Sequence, residues 1–224
     1  MRNLIFHIFP RNIEVCQFHL KFLDTYAPQF DRIFYHVAVE NGQLADAVID
    51  ILPYKDRAEV SRFANTGGES KTEFFNSMQR ILTSDPYGTT FYAHSKGSSI
   101  FVGHPNYLRL ENIKAWCRAM YNLNLHDVKL VENLLKYYSC AGAFKRGMGH
   151  EPHDGSSFHY SGSFYWLSNK DLTVLKLNQL SDSYYAMESF PGRVFSSDKA
   201  FCWYEYPHDL YLNKVPNDYS HWLS

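Results

Sequence analysis

Short apolar runs alternate with helix-like patterns through the first half of the chain, and this alternation constrains the fold more than any other feature. The apolar run over residues 4–9 ends at Pro10, which is typical of a buried strand. Helical spacing follows directly, at Ile13, Cys16, Leu20 and Leu23. Strands that alternate with helices form a mostly parallel sheet with helices on both faces. The sequence therefore predicts an α/β, Rossmann-like fold.

Further segments continue this pattern. We expect a strand over residues 32–39, closed by the turn Asn41-Gly42, and a weaker strand over residues 48–52. A helix over about residues 69–82 leads into a strand over residues 89–93.

The second half of the chain is less regular. Five elements are predicted there: helices over 113–123 and 128–138, a strand candidate over 158–167 interrupted by Gly162, a helix over 172–177 behind a capping box at 168–171, and a helix over 184–190 stopped by Pro191-Gly192. There is no internal repeat or linker, so we expect residues 1–224 to form a single domain.

Charge limits the partners that the chain can bind. Its 22 Lys and Arg residues nearly cancel its 23 Asp and Glu residues, so it lacks the overall basic field that non-specific nucleic-acid binding uses. We therefore expect no nucleic-acid partner and only a local site for any anion. The 17 Tyr, 17 Phe and 4 Trp residues suit a deep core, and they equally suit surfaces that stack on sugar rings.

Cysteine spacing and hydropathy bear on the cellular compartment. Cys16, Cys117, Cys140 and Cys202 form no CxxC pair, so we expect reduced and mostly buried thiols. The stretch before Pro10 is too short for a signal peptide, and no apolar run approaches the ~20 residues that span a bilayer. The sequence predicts a soluble, cytoplasmic protein without a transmembrane segment.

The segment His94-Ser95-Lys96-Gly97 directly follows the strand predicted over residues 89–93. Ligands bind beyond the carboxyl ends of the strands in parallel sheets. An imidazole, a hydroxyl and an ammonium can donate hydrogen bonds to an anion, and a glycine lets the backbone approach a ligand closely. We expect these four residues to bind an anionic ligand. The alternative is that His94 and Lys96 only end a strand and face solvent.

Two other polar segments are placed for ligand contacts. His7 and Arg11 lie at the end of the first predicted strand, where nucleotide contacts are expected in such a sheet. Asn65, Thr66 and Gly67 precede a helix whose first backbone amides can bind an anion or a sugar hydroxyl. An ordinary helix start explains the second segment equally well.

A further candidate segment runs over residues 159–166 and begins with His159. The small residues Ser161, Gly162 and Ser163 would let a sugar approach the backbone, and Trp166 would offer it an apolar face. Packing in a buried strand is the alternative interpretation for the aromatic residues.

Four segments in this order, ANTGGES, FYAHSKG, FHYSGSFYW and YAMESFPG, resemble glycosyltransferases of the GT-A type that assemble bacterial capsules, lipopolysaccharides and viral glycans. The resemblance rests on a His-x-Lys-Gly segment, a later His-x-Ser-Gly-x-Phe segment and a following acidic residue, and it spans residues 65–188. It implies a GT-A-like domain, a nucleotide-diphosphate sugar as donor and a glycan hydroxyl as acceptor. Ser163 and Tyr165 stand where the group usually has Asn and Trp, so the identity of the sugar is not implied.

The resemblance also raises the question of a metal. Enzymes of the GT-A type commonly hold a divalent cation with an Asp-x-Asp segment, and the cation neutralises the leaving diphosphate. This sequence contains no Asp-x-Asp. Lys96 stands at the equivalent-looking place, and a fixed ammonium can stabilise the same leaving group. We therefore name no metal ligand, and Mn²⁺ or Mg²⁺ stays an alternative. A loop with His150, His153, Asp154 and His159 fits no zinc signature.

Sugar transfer with inversion needs a base that takes the proton from the acceptor hydroxyl. The resemblance implies Glu188 for this role, with Asp182 and Asp154 as reserves, and an ion-paired helical glutamate is the alternative interpretation. The sequence thus predicts an inverting glycosyltransferase. Two other functions stay open: a non-catalytic carbohydrate-binding module and a metal-dependent hydrolase built on residues 150–159.

Overall fold

In the computed structural model, which describes residues 1–65, 71–147, 155–206 and 208–215, strands and helices alternate through the first half of the chain. In chain order the elements are β1 (Arg2–Ile8), α1 (Ile13–Tyr26), β2 (Arg32–Val39), α2 (Gly42–Asp50), β3 (Ala58–Ala64), α3 (Lys71–Ser84), β4 (Thr89–His94), α4 (Leu110–Leu125), α5 (Val128–Leu134), β5 (Cys140–Gly142), β6 (Lys145–Gly147), β7 (Phe158–Tyr160), β8 (Tyr165–Ser168), α6 (Val174–Leu177), α7 (Ala186–Val194) and β9 (Ala200–Cys202).

Seven of these strands form one sheet, in the order β3-β2-β1-β4-β8-β5-β9. The pairs β3/β2, β2/β1, β1/β4 and β5/β9 are parallel, whereas β8 runs antiparallel to both β4 and β5. The strands β6 and β7 pair in a separate antiparallel ribbon. The prediction of a mostly parallel sheet in an α/β, Rossmann-like fold is confirmed.

Alternate residues of each central strand face two separate cores. In β1, Leu4, Phe6 and Ile8 pack with residues of α1, α2, α4 and α5, while Ile5 packs on the other face with residues of α3, α6 and α7. The cause is the two-residue period of a strand, which sends successive side chains to opposite faces. Helices therefore cover both faces of the sheet, as predicted.

The weaker strand predicted over residues 48–52 is wrong. Asn41 caps the helix α2 with its side chain, and Val48 is buried on the inner face of that helix. The strand that follows in the sheet is β3, at the edge, where Glu59 and Arg62 are exposed. Because an edge strand buries little, its apolar pattern was too weak to predict it.

The strand candidate over residues 158–167 is divided between two sheets. Gly162 and Ser163 have φ angles of 95° and 58°, and the turn that they form separates β7 from β8.

The predicted capping box at residues 168–171 is also wrong, because Thr173 accepts the capping hydrogen bond from the Lys176 backbone N–H at 3.2 Å.

Pro191 does not stop the last helix, contrary to the prediction, because α7 continues through it to Val194. A proline inside a helix leaves the carbonyl four residues earlier without its N–H partner. Here that carbonyl belongs to Met187, and it accepts a hydrogen bond from the Tyr165 hydroxyl at 2.9 Å. A side chain from β8 thus replaces the missing helical hydrogen bond.

All four cysteines are free, as expected. Burial raises the pKa of Cys16, Cys117 and Cys140 to about 12, so these groups stay protonated thiols.

Within the ranges that the structure covers, no helix has both the length and the apolar character that crossing a bilayer requires.

Two histidines are buried in the cores as neutral rings. His19 in α1 accepts from the Tyr121 hydroxyl with Nδ1 at 2.8 Å and donates to the Lys96 carbonyl with Nε2 at 2.9 Å. In β2, His36 Nε2 lies 2.9 Å from Ser77 Oγ. Burial lowers the pKa of each histidine to about 3, because the charged form would lose its hydration.

Replacement of Gly192 by alanine tests the close contact between α7 and β7. The added Cβ would overlap the backbone of Phe158, and neither backbone can relax without separating the two elements. Gly192→Ala should therefore lower the free energy of unfolding by about 1–3 kcal/mol or more, measured by chemical denaturation. Gly42→Ala is the control, because no heavy atom lies within 4 Å of its added Cβ. Equal stability of the two variants would contradict the close contact.

The buried histidines predict acid sensitivity. The pKa of His36 in the folded chain lies below the ordinary value of 6.5. Between pH 6.5 and about 3, the unfolded chain therefore binds a proton at this residue and the folded chain does not. Its contribution to stability is present above pH 6.5 and is lost as the pH falls towards 3, by about 2 kcal/mol between pH 7 and pH 5. His36→Gln should remove this part of the pH dependence in denaturation measured at both pH values. Ser77→Ala, which keeps the imidazole, should retain it, and an identical pH dependence in wild type and His36→Gln would refute the assignment.

Candidate active site

A cleft of about 380 Å³ lies beyond the carboxyl ends of β1 and β4. Its basic lining residues are His7, Arg11, His94, Lys96 and His104, and none of the described lining residues is Asp or Glu. A cavity lined in this way favours an anionic ligand. The cleft lies where ligands bind in open parallel sheets, as the sequence predicts.

The turn after β4 is held against the end of β1. His7 and His94 are register partners, and the next residue, Ser95, donates from its backbone N–H to the His7 carbonyl at 2.9 Å. Ser95 Oγ accepts from the Phe9 backbone N–H at 2.9 Å and lies 2.8 Å from Ser98 Oγ. Ser95 is buried, and its hydrogen bonds connect the ends of the two strands.

Gly97 occupies a backbone conformation that suits glycine. Its φ angle is 89°, and a Cβ there would lie 3.1 Å from Ile113 Cγ2 of α4. The glycine thus lets the turn reverse directly over α4. This geometry explains the residue in addition to the predicted approach of a ligand.

The Lys96 ammonium is enclosed by aromatic rings. Nζ lies 4.3 Å from the centroid of the Trp116 ring, 5.4 Å from that of Tyr211 and 3.3 Å from the Tyr211 hydroxyl. Desolvation by burial lowers the pKa of Lys96, but Tyr211, Glu188 and Cys117 raise it by more, so its pKa lies above the ordinary value. Lys96 is therefore a permanent cation at the wall of the cleft.

Tyr211 and Trp116 were not predicted from the sequence as site residues. Tyr211 is brought to the cleft by the segment over residues 208–215, in which Leu210 is buried and Asp209 Oδ1 accepts from the Tyr211 backbone N–H at 2.8 Å. Asn112 of α4 donates to the Tyr211 carbonyl at 3.0 Å. No local sequence signal marks this return of the chain, because it depends on packing between distant segments.

The turn around Gly162 connects the cleft to a carboxylate. His94 Nε2 lies 3.0 Å from the Gly162 carbonyl, and the Gly162 backbone N–H donates to Glu188 Oε1 at 3.3 Å. Because a carbonyl only accepts, His94 carries a proton on Nε2. The space beside the turn is filled, since a Cβ at Gly162 would lie 2.7 Å from Met120 Sδ.

Glu188 is held from another side as well. His159 Nε2 lies 3.7 Å from Glu188 Oε1 and 3.1 Å from Ser161 Oγ. The Glu188 side chain keeps 19% exposure, whereas His159 is buried. The carboxylate is thus fixed at the end of a polar cluster and still reaches solvent.

Most of the predicted site residues come together in two adjoining groups. One lines the cleft and consists of His7, Arg11, Asn65, His94, Ser95, Lys96 and Gly97. The other is the polar cluster of His159, Ser161, Gly162 and Glu188. Arg11 also contacts Glu40, with Nε 3.8 Å from Oε2, and lies over the Phe101 ring. Thr66 and Gly67 lie outside the described residues.

Trp166 does not offer a face to a sugar, and the structure corrects this expectation. Its side chain is fully buried, and its Nε1 donates to the Asn124 carbonyl at 2.9 Å. The indole stacks on Phe30 with centroids 5.6 Å apart and lies 5.1 Å from Phe91. Ser163 is likewise buried, in the turn. The pleat of β8 turns the Trp166 side chain into the core.

The remaining candidates do not gather at the cleft. Asp182, a reserve base, is exposed and forms an ion pair with Lys71 at the start of α3. His150, His153 and Asp154 lie outside the described residues. Among the residues that the structure describes, no group of three or more His, Cys, Asp or Glu side chains could hold a metal ion.

No protein-family model matches the sequence, and no curated protein matches it at a significant level. Among solved structures, the chain is similar to a protein of Desulfovibrio desulfuricans G20 described as a nucleotide-diphospho-sugar transferase, with a TM-score of 0.51 and 9% identity over 91% of this chain and 80% of that chain. It is more weakly similar to two proteins described as 4-diphosphocytidyl-2C-methyl-D-erythritol synthases. One gives a TM-score of 0.43 and 12% identity over 100% and 97% of the two chains. The other, from Anaerococcus prevotii DSM 20548, gives 0.47 and 8% over 99% and 93%.

The two weaker likenesses have TM-scores below 0.5 and carry no argument. At 9% identity, the first likeness shows a common fold and nothing finer. The chain therefore shares its α/β fold with a protein described as a nucleotide-diphospho-sugar transferase.

Proposed function

We propose that the chain is a glycosyltransferase that moves a sugar from a nucleotide-diphosphate donor to a hydroxyl group of a glycan acceptor, with inversion at the anomeric carbon. Residues 1–224 would act as one domain of the GT-A type. The observation that carries the proposal is a cationic cleft beyond β1 and β4, free of Asp and Glu among its described lining residues, with a fixed carboxylate beside it.

The cleft suits the charge that develops during this reaction. When the bond from the anomeric carbon to the diphosphate breaks, its electron pair leaves on a phosphate oxygen. Fixed positive groups stabilise such a leaving group without reorganising during the reaction. Lys96 is our candidate for this role, because Trp116 and Tyr211 restrict its ammonium and its raised pKa keeps it charged. The donor would also contact His7, Arg11, Asn65 and His94, together with the turn at Ser95 and Gly97.

Glu188 is our candidate for the base. The acceptor oxygen would attack the anomeric carbon while its proton passes to the carboxylate, and the diphosphate would leave beside Lys96. The Gly162 N–H donates a hydrogen bond to the carboxylate and the His159 ring lies beside it, which limits its orientation as general-base catalysis requires. The acceptor would approach the exposed part of the Glu188 side chain, because Ser161, Gly162 and Ser163 are buried and leave no room for a sugar. His159 was predicted to contact the sugar, but its side chain is buried. In this proposal it therefore lies behind Glu188 and does not touch the acceptor.

The proposal routes no step through a metal ion, because none of the described residues that line the cleft is Asp or Glu. The hydrolase alternative depends on His150, His153 and Asp154, which lie outside the described residues. The carbohydrate-binding alternative depends on exposed aromatic rings, but the largest fully buried side chains include Trp166, Tyr35 and ten further aromatic residues. These twelve buried rings all belong to the two cores. Seven other described aromatic residues, among them Tyr87, Tyr137 and Tyr184, are exposed. A cytoplasmic location stays a prediction.

Lys96→Met keeps most of the length of the side chain and removes its charge. We expect its affinity for UDP, GDP or dTDP to fall at least about tenfold, the loss of one charge-assisted contact, while thermal unfolding changes little. Isothermal titration calorimetry measures the affinity, and EDTA should leave that of the wild type unchanged. Lys129→Met, at an exposed position on α5, is the control. Equal affinities of the two variants would remove Lys96 from the site.

Glu188→Gln keeps the shape of the side chain and removes its basicity. We expect nucleotide affinity within about threefold of the wild type and a transfer rate reduced by about 10²–10⁴, the usual contribution of a general base. Release of nucleotide diphosphate from UDP-, GDP- and dTDP-sugars in the presence of glycan acceptors measures the rate. Glu205→Gln, at an exposed position, is the control. If both variants turn over equally fast, the base lies elsewhere.

A further inference from the structure

We propose that His19 is a positioning residue for Lys96, and that its imidazole fixes the Lys96 carbonyl so that the ammonium stays at the wall of the cleft. The inference rests on the function proposed above, because it concerns the residue that would meet the diphosphate.

The contacts of His19 leave one assignment of its protons. The Lys96 carbonyl, 2.9 Å from Nε2, can only accept, so Nε2 carries the proton. Nδ1 of the neutral ring then accepts from the Tyr121 hydroxyl, at 2.8 Å. The three residues form a continuous chain of hydrogen bonds from α4 through α1 to the turn after β4. Both His19 and Tyr121 have no exposed surface.

This chain of hydrogen bonds determines the conformation of the turn. The Lys96 carbonyl is directed into the core, where Cys117 Sγ also lies 3.9 Å from it. On the other side, the Lys96 backbone N–H donates to the His94 carbonyl at 2.8 Å. Gly97 then takes the positive φ that the inward carbonyl demands. With its N–H and its carbonyl both bonded, Lys96 directs only its side chain towards Trp116, Tyr211 and the cleft.

The neutral state of His19 suits this role. Its burial disfavours protonation, and the nearby Lys96 charge disfavours it further. A neutral ring donates to the carbonyl without adding a second cation that an anion could bind. The low pKa also means that this anchor does not titrate in the range where enzymes usually work.

Three variants test the proposal. His19→Leu removes both hydrogen bonds, whereas His19→Gln keeps an amide N–H for the Lys96 carbonyl and an oxygen for the Tyr121 hydroxyl. Leu23→Ala is the matched control, because Leu23 is a buried residue one turn further along α1. Its cavity lowers stability without removing a contact of Lys96.

Two measurements separate positioning from mere stability. The first is the affinity for UDP, GDP and dTDP by titration calorimetry, and the other is amide hydrogen exchange over residues 96–98. His19→Leu should bind nucleotide at least about tenfold more weakly and exchange faster at these amides, since the loss of an anchoring hydrogen bond frees the turn. The nucleotide affinity of His19→Gln should stay within about threefold of the wild type, which is less than the loss of a whole hydrogen bond would cause.

The outcomes decide both proposals independently. If His19→Leu matches Leu23→Ala in nucleotide affinity and in exchange over residues 96–98, His19 has no positioning role. If His19→Gln is as impaired as His19→Leu, the hydrogen bonds are not the cause and the inference is overturned. If the wild type binds none of the three nucleotides, the proposed function fails, and faster exchange over residues 96–98 in His19→Leu alone still supports the anchor.

Discussion

The parallel pairing of β1 with β4 is the constraint on which the candidate site depends. Their register places His7 beside His94, so both strands end at the same edge of the sheet. The hydrogen bond from Ser95 to the His7 carbonyl continues this pairing beyond the strands. The turn that carries Lys96 therefore starts from a fixed point. A cation placed in this way can face an anion without first losing the conformational freedom of a surface loop.

The sequence was informative where local pattern decides structure. The alternation of apolar runs and helical spacing in the first half predicts β1, α1, β2, α3 and β4, because buried parallel strands and amphipathic helices carry strong periodicity. Prediction failed where distant contacts decide. The edge strand β3 is half exposed, and the helix α7 tolerates Pro191 only because Tyr165 supplies a hydrogen bond from another strand. Neither effect can be derived from neighbours in the sequence.

The same distinction holds for the site. The segment from His94 to Gly97 was located from sequence, because a strand end and an unusual group of polar residues coincide there. Trp166 was misplaced, since an aromatic residue in a strand gives no sign of which face is buried. Tyr211 was missed because the segment over residues 208–215 carries no local signal of its return to the cleft. His19 was missed because a single histidine in an amphipathic helix gives no sign of its partners. Their contacts with Lys96 arise only from tertiary packing.

The two faces of the sheet have different parts in the site. Lys96 contacts Trp116 and Cys117, which belong to the core on one face. Glu188 lies on α7, whose Met187 and Phe190 belong to the core on the other face. The distance between the Lys96 ammonium and the Glu188 carboxylate therefore depends on the packing of both cores. A void opened in either layer would change the distance between the ammonium and the carboxylate, so their alignment depends on tight packing in both layers.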